Sequence, residues 1–399
     1  MELLAPAGDL NKLKYAVYFG ADAVYAAGNN FGLRAKSTNF SEIHLKEAVD
    51  FCHKHDRKIY ITVNIFAHNS DLEQLPKYLT FLQKIGVDAL IISDPGVFSL
   101  AKEFAPDVAI HISTQANVTS WRAVDFWYKL GAKRIILARE LGIKEIAEIK
   151  KKVPKIELEI FVHGAMCMSY SGRCLISAFL NNRSANRGLC TQPCRWEYHL
   201  VEKSRPGEFF KIEEDERGSY FFNSKDLNLI KRIPNIKKAG IDSIKVEGRM
   251  KSLYYVATVT RAYRAAIEAG VSTVSASTQD ELNKVSHRVY SEAFFDKFDS
   301  SETQHYGSSA YIRDYQFLGE VNKVEGFSVF ISIKAKFCIG DEIEFIFPDR
   351  KDDLKVIVRN IFNEENEMIQ LTKPNTIIRL DLDKKLPEWG IVRKKNIEE

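Results

Sequence analysis

The strongest constraint on this chain is a step that recurs along its first half: a helical pattern, a glycine, then a short apolar, β-branched run. Leu10–Phe19, Leu45–His55, Leu75–Ile85 and Ala123–Leu130 carry apolar residues at helical spacing, and Gly20, Gly86, Gly131 and Gly240 stand where such helices end. A glycine there can take the left-handed cap conformation that closes a helix and turns the chain into the next strand. The strands read as Glu2–Ala5, Ala23–Ala27, Ile59–Asn64, Ala89–Ser93, Ala109–Ser113, Arg134–Ala138, Glu157–Val162 and Ser243–Glu247. Eight nearly apolar strands alternating with helices predict a parallel sheet covered on its faces. The pattern favours an α/β fold closed into a (β/α)8 TIM-type barrel, with an open doubly wound sheet as the alternative.

The seventh and eighth strands are separated by an insertion over residues 164–239. It begins with cysteines and continues through Glu197–Val201, Phe209–Ile212 and Tyr220–Asn223, which read as a hairpin or short meander. A helix from Asp226 leads back to the barrel, Lys251–Ala269 forms its last helix, and Asp280–Phe298 reads as a helical linker. From about residue 307 the pattern alternates apolar and polar residues, in Gly319–Val324, Ser328–Ile333, Glu342–Ile346, Leu354–Ile361, Met368–Leu371 and Trp389–Val392. That is the pattern of a small antiparallel β-barrel. The chain therefore divides into a barrel over 1–272, a linker over 273–306 and a β-domain over 307–399. Small β-barrels handle nucleic acids, close over sites or mediate dimerisation, and the sequence does not choose among these or fix an oligomeric state.

No stretch approaches the roughly 18 consecutive apolar residues that a membrane helix needs. Met1-Glu2-Leu3-Leu4-Ala5-Pro6 lacks the basic start and long apolar run of a signal peptide, so a cytoplasmic protein is expected. The net charge of +4 permits nucleic-acid binding without arguing for it. The 6 cysteines are uneven: Cys167, Cys174, Cys190 and Cys194 cluster, while Cys52 and Cys338 stand alone and read as buried small hydrophobes.

Clustered cysteines in a cytosolic chain act as ligands or catalysts rather than disulfides. The spacing C-x6-C-x15-C-x3-C is not that of a zinc ribbon, which uses two close pairs. Its wide first interval suits a cuboidal cluster whose corners take ligands from different directions, and zinc remains the alternative. Residues 160–196 contain no acidic side chain but include Arg173, Arg183, Arg187 and Arg195. An acid-free, arginine-rich segment suits an anionic cluster, an anionic substrate or RNA phosphates.

If the fold is a barrel, chemistry belongs at the carboxyl ends of its strands. Those ends carry Pro6, Asn64, Ser93-Asp94, Gln115–Asn117, Arg139-Glu140, His163 and Glu247–Arg249. His163, at a strand end just before Gly164, is a candidate for proton transfer, substrate binding or metal contact, and equally a structural histidine.

The run Glu159–Cys174 resembles the signature of peptidase family U32, as do Glu2–Gly8, Leu33-Arg34 with Asn39-Phe40, Asn223–Leu227, Lys245–Arg249 and Ser286–Tyr290. These stretches span nearly the whole chain. Ser93–Gly96, Ser113–Asn117 and Cys194–Tyr198 are similar to the family's tRNA hydroxylation branch. The resemblance implies oxygen-independent, prephenate-dependent 5-hydroxylation of the wobble uridine in tRNA. It also implies a [4Fe–4S] cluster on Cys167, Cys174, Cys190 and Cys194, with hydroxylation of another substrate, a ribosomal RNA cytidine or a quinone precursor as in related branches, as the alternative. Two departures stand out. The insertion after Tyr198 is shorter than in longer members, and the family's Tyr-Thr-x-Gly-Phe element appears as Tyr290-Ser-Glu-Ala-Phe294.

A dicarboxylate such as prephenate calls for cations of fixed geometry, so Arg34, Arg139, Arg173 and Arg249 are candidate ligands, joined by Asn64, Gln115 and Lys225 as substrate-binding residues. His163, Glu247 and Arg249 are the candidate catalytic groups, with Glu247 an orienting or proton-accepting carboxylate. Tyr170 or Phe161 would stack on a displaced anticodon base, though core packing is the more ordinary role of such aromatics. The expected partners are tRNA at its anticodon region and a small dicarboxylate, with no membrane. A collagenase-like peptidase is the rival reading. The chain lacks a His-Glu-x-x-His helix and a Gly-x-Ser-x-Gly elbow. A cysteine nucleophile would leave three of the clustered thiols without a role.

Overall fold

The structure is a computed structural model that describes residues 1–32, 39–166, 169–170, 173–181, 183–193, 199–200, 210–211, 225–270, 273–296 and 311–396. The chain opens with strand β1 (Glu2–Pro6) and helix α1 (Leu10–Tyr18), then alternates through β2 (Ala23–Ala26), α2 (Glu42–Lys54) and β3 (Lys58–Val63). It continues with a short α3 (Asn69–Leu72), α4 (Leu75–Lys84), β4 (Ala89–Ile92), α5 (Pro95–Phe104), β5 (Ala109–Ile112), α6 (Trp121–Lys129), β6 (Arg134–Ile136), α7 (Ile143–Lys152) and β7 (Glu157–Ala165). Within the insertion come α8 (Ile176–Asn181), β8 (His199–Leu200), β9 (Phe210–Lys211), β10 (Asp226–Asn228) and α9 (Ile233–Lys238). The last barrel strand, β11 (Ser243–Val246), is followed by α10 (Leu253–Glu268).

Helix starts and stops follow local chemistry. Asp9, Ser41, Ser120 and Ser252 each accept the N–H three residues on, capping α1, α2, α6 and α10. Gly20, Gly86, Gly131 and Gly240 take positive φ where the sequence placed helix ends. β11 pairs in parallel with both β1 and β7, and β1 to β7 pair in series, so the sheet closes into an eight-stranded parallel barrel. The TIM-type barrel expected from the sequence is the fold.

Its interior departs from the expectation of nearly apolar strands. Arg134 on β6 pairs with Glu159 on β7 at 3.0 Å and with Glu2 on β1, while Lys245 on β11 lies 3.4 Å from the same Glu159. Tyr60 on β3 donates to Glu2 at 2.7 Å. Burial lowers the Lys245 ammonium and Glu159 opposes that shift. These charges are tolerable inside a protein only because they are mutually paired.

Other expectations are corrected. Residues from Asp226 begin not a helix but β10, which pairs antiparallel with the end of β7, Asp226 opposite Ala165. The linker is only briefly helical: α11 (Ala276–Asp280) and a 3-10 turn lead to β12 (Tyr290–Ser291), which pairs with β10. Ser286–Tyr290 falls where the helix was expected, but its backbone bonds instead to the insertion's return strand, through Arg288 and Val289 to Asp226, and to Ile312, through His287.

The C-terminal unit has strands β13 (Tyr315–Glu325), β14 (Ser328–Ile333), β15 (Glu342–Ile346), β16 (Leu354–Ile357), β17 (Ile377–Asp381) and β18 (Ile391–Lys395). They form one curled antiparallel sheet in the order β16-β15-β18-β13-β14-β17, a half-barrel with β16 and β17 at its edges. Met368–Leu371 makes only isolated bridges, to Phe362 and Cys338, and the missing strand is β17. Cys52 is buried and its thiol is pushed up to about 12, whereas Cys338 is exposed in a turn, contrary to the sequence reading. The half-barrel packs on the large barrel through Trp389 stacked 4.1 Å from Tyr18 and Phe317 stacked on Tyr254 at 5.7 Å. Among the described residues no helix is long and apolar enough to cross a membrane.

Candidate active site

The carboxyl ends of the strands form a polar mouth. Asn64, after β3, donates to Gln115 Oε1 at 2.7 Å, and Ser113 Oγ donates to the same oxygen at 3.0 Å. Arg249, after β11, is buried, with Nη1 donating to Thr62 at 3.1 Å and Nη2 to Asn39 at 2.9 Å. Arg139, after β6, donates through Nη1 to the Ala165 carbonyl at 2.9 Å and lays its guanidinium 4.0 Å from the Phe161 ring. The Tyr25 hydroxyl donates to the Val246 carbonyl at 3.0 Å and also reaches Glu247 Oε2 at 3.3 Å. The mouth thus gathers Asn64 with Gln115, Arg139 with Phe161, and Glu247 with Tyr25.

His163 goes elsewhere. Lys245 faces Phe161 across the β11–β7 ladder, and the next pairing is Val246 with His163, so Val162 is an extra residue on β7. Such a bulge shifts the alternation of side chains by one. Phe161 stays inside with Lys245, while the His163 ring lies against Tyr255 and Tyr263 of α10 and Tyr290 of β12. Its Nδ1 is 3.4 Å from the Tyr263 hydroxyl, and its Nε2 is buried with no hydrogen-bond partner among the described residues. Burial, with the nearby Lys251 and His287, lowers its pKa to about 3. The imidazole is therefore neutral at physiological pH, on the helix side of the wall opposite the Glu247 side chain.

At this mouth lies a cavity of about 250 Å³ lined by Ala165, Gln192, Glu247, Gly248, Met250, Lys251 and Tyr311. Gln192 brings the cysteine insertion to its rim. Lys251, Met250 and Tyr311 were not singled out from the sequence. The first two directly follow the Lys245–Arg249 stretch, which was a usable signal, while nothing local marked Tyr311.

Cys167 and Cys194 lie outside the described residues, as does Arg34. Among the described residues no three His, Cys, Asp or Glu side chains gather to hold a metal ion. Cys174 and Cys190 are unbridged thiols, the first partly exposed and the second exposed. The segments bearing them are tied together: Ser177 Oγ accepts from Thr191 N at 3.0 Å and meets Thr191 Oγ1 at 3.0 Å, and Asn181 donates to Thr191 Oγ1 at 2.9 Å. The Gln192 amide donates to Cys190 Sγ at 3.4 Å, the kind of N–H···S bond that steadies a metal-bound thiolate. Cys174 and Cys190, free and accessible, have the donor chemistry of ligands to a soft metal. Arg173 and Tyr170 are exposed beside Cys174 in the chain, and Lys225 directly precedes β10.

A closed parallel barrel with a polar mouth and a cysteine-bearing insertion at its rim defines a barrel protein built for chemistry at one end. Residues 8–305 match peptidase family U32, and residues 313–393 match the peptidase family U32 C-terminal domain. The chain belongs to peptidase family U32. It is 40% identical to the tRNA hydroxylation protein P1 of Bacillus subtilis, over 98% of this chain and 94% of that one. It is 38% identical to the tRNA hydroxylation protein P of Escherichia coli, over 87% and 86% of the two chains. A collagenase of Porphyromonas gingivalis is 32% identical over 87% of this chain and 86% of its own.

Proposed function

We propose that this protein is an RNA-modifying hydroxylase of the cytoplasm, taking part in oxygen-independent, prephenate-dependent 5-hydroxylation of the wobble uridine of tRNA. The observation that carries this reading is the end-to-end match, at 40% identity, with a relative named for tRNA hydroxylation. The mouth supports it. Arg139, Arg249 and Lys251 bring cations to the strand ends, where an anionic co-substrate would bind. Phe161 sits beneath Arg139, so its part in the reading is to hold that guanidinium rather than to receive a base.

Cys167, Cys174, Cys190 and Cys194 would hold a [4Fe–4S] cluster, which when bound supplies one-electron redox capacity or a Lewis-acidic iron. Around it Gln192 and Lys251 shape the cavity, Glu247 offers a carboxylate oriented by Tyr25, and Arg139 fixes the Ala165 carbonyl at the end of β7. Anaerobic purification with iron and sulfide assay tests the cluster, and a colourless protein holding one zinc would overturn it. Mass spectrometry of tRNA nucleosides after gene deletion and complementation tests the reaction. Restoration of 5-hydroxyuridine by the intact gene, and not by Cys190→Ser, is expected.

The collagenase relative favours peptidase activity as the second reading. It requires turnover of a denatured protein that is lost in Cys167→Ala and kept in Cys190→Ala, a pattern a four-thiolate cluster would not give.

A further inference from the structure

Beside the mouth cavity, and sharing Met250, Lys251 and Tyr311 with it, lies a larger cavity of about 570 Å³. That volume is within the roughly 300–1,000 Å³ of small-ligand pockets. One wall comes from the large barrel, through Lys251, Ser252 and Tyr254 at the start of α10, and from Ser286 of the linker. The other comes from the half-barrel, through Arg313, Tyr315, Phe317 and Asn396. Among the described residues that line it there is no carboxylate. Neither Lys251 nor Arg313 has a carboxylate in ion-pair range among the described residues; Lys251 instead rests over the rings of Tyr255 and Tyr311, at 5.1 and 4.6 Å. Elsewhere this chain pairs its cations readily, as around Arg393 and Arg261. Two cations so placed in a tyrosine-lined cleft ask for an anion attached to something with ring faces.

We propose that this cleft between the barrel and the half-barrel seats an RNA nucleotide flanking the one that enters the mouth. Its phosphodiester lies against Lys251 and Arg313, and its ribose and base against the tyrosine walls. The inference rests on RNA being the substrate. It gives the half-barrel a part in recognition, since Arg313 and Tyr315 hold the strand while the barrel mouth receives the neighbouring nucleotide. The two cavities share Met250, Lys251 and Tyr311, so neighbouring nucleotides would meet at Lys251.

The test is binding of an anticodon stem–loop RNA to the full-length protein by fluorescence anisotropy over a salt series, for the wild type, Arg313→Glu and Arg313→Lys. Arg313 is exposed, and a thermal melt confirms that the variants are folded. Arg313→Glu is expected to weaken binding about tenfold and to reduce the slope of log affinity against log salt by about one, and Arg313→Lys to retain most of both. Unchanged affinity and slope in Arg313→Glu, with a wild type that binds and modifies RNA, would overturn this inference and leave the hydroxylase reading standing. A wild type with no affinity for the RNA would overturn the hydroxylase reading, and this one with it.

Discussion

Arg393, on the last strand of the half-barrel, donates through Nη2 to Glu281 Oε1 at 3.0 Å across the boundary between the two β units. Arg261 of α10 reaches the other oxygen of Glu281 at 2.8 Å, and Arg393 also holds Glu344 at 2.8 Å. All are buried, so this network and the Trp389–Tyr18 stack fix one domain on the other. Arg393→Ala should lower unfolding free energy by about 3–5 kcal/mol, because it strands buried carboxylates. A loss below about 1 kcal/mol in denaturant titration would contradict that role. Burial alone would raise the Glu281 carboxyl, but Arg393 and Arg261 overcome it and hold it well below the usual range. Its contribution is complete above its ordinary value of 4.5 and disappears as pH falls toward the depressed one, so Glu281→Gln should flatten acid destabilisation below pH 4.5.

The neutral His163 shows the same linkage from the side of a buried base. Its pKa is about 3 when folded against 6.5 ordinarily, so the unfolded chain takes up a proton first as pH falls. The stability it contributes is whole above pH 6.5 and declines toward pH 3. Between pH 6.5 and pH 5 the decline should be about 2 kcal/mol, and His163→Gln should remove it. A ring-proton resonance assigned to His163 and titrating near 6.5 in the folded protein would refute this.

Ala293 stands where the family element carries glycine, and it adopts φ +49°. The backbone there is left-handed although alanine is not the residue suited to it. Left-handed backbone costs a non-glycine residue about 1–2 kcal/mol. Ala293→Gly should therefore stabilise the protein by about 0.5–1 kcal/mol after the loss of a partly packed methyl and added chain entropy. A destabilised variant in thermal or chemical unfolding would contradict this.

Ser177 is fully buried and joins the Cys174 segment to Thr191, next to Cys190. Ser177→Ala leaves the Thr191 amide without its acceptor, at about 1–3 kcal/mol of local cost. Anaerobically reconstituted Ser177→Ala should hold less iron than the wild type at equal protein while retaining its global melting profile. Equal iron content would mean the tie does not position the thiols.

The barrel was legible because its signals are local: helix caps, glycines at helix ends and apolar strand runs. Asn64, Gln115, Arg139, Glu247 and Arg249 were found as strand-end residues because a barrel puts all such ends on one face. His163 obeyed the same rule in sequence and was turned away by one extra residue in β7, a register event that no local pattern announces. Glu2, Arg134, Glu159 and Lys245 were visible inside strand runs, but their mutual pairing depends on closure. Asp226–Asn228 and Tyr290–Ser291 are too short for periodicity, and their strand character comes from partners distant in the chain. Tyr311 and Arg313 take their place from how two domains meet, which a linear reading does not contain.

The pairing of Asp226 with Ala165 has a consequence beyond the fold. The cysteine excursion leaves and rejoins the barrel at adjacent points, with its two ends paired on one ladder. Extra residues in such a loop cost only a slowly rising closure entropy, about 0.6 kcal/mol per doubling of its length. A change in the length of this segment would thus leave the β7–β10 pairing, and with it the barrel wall, in place.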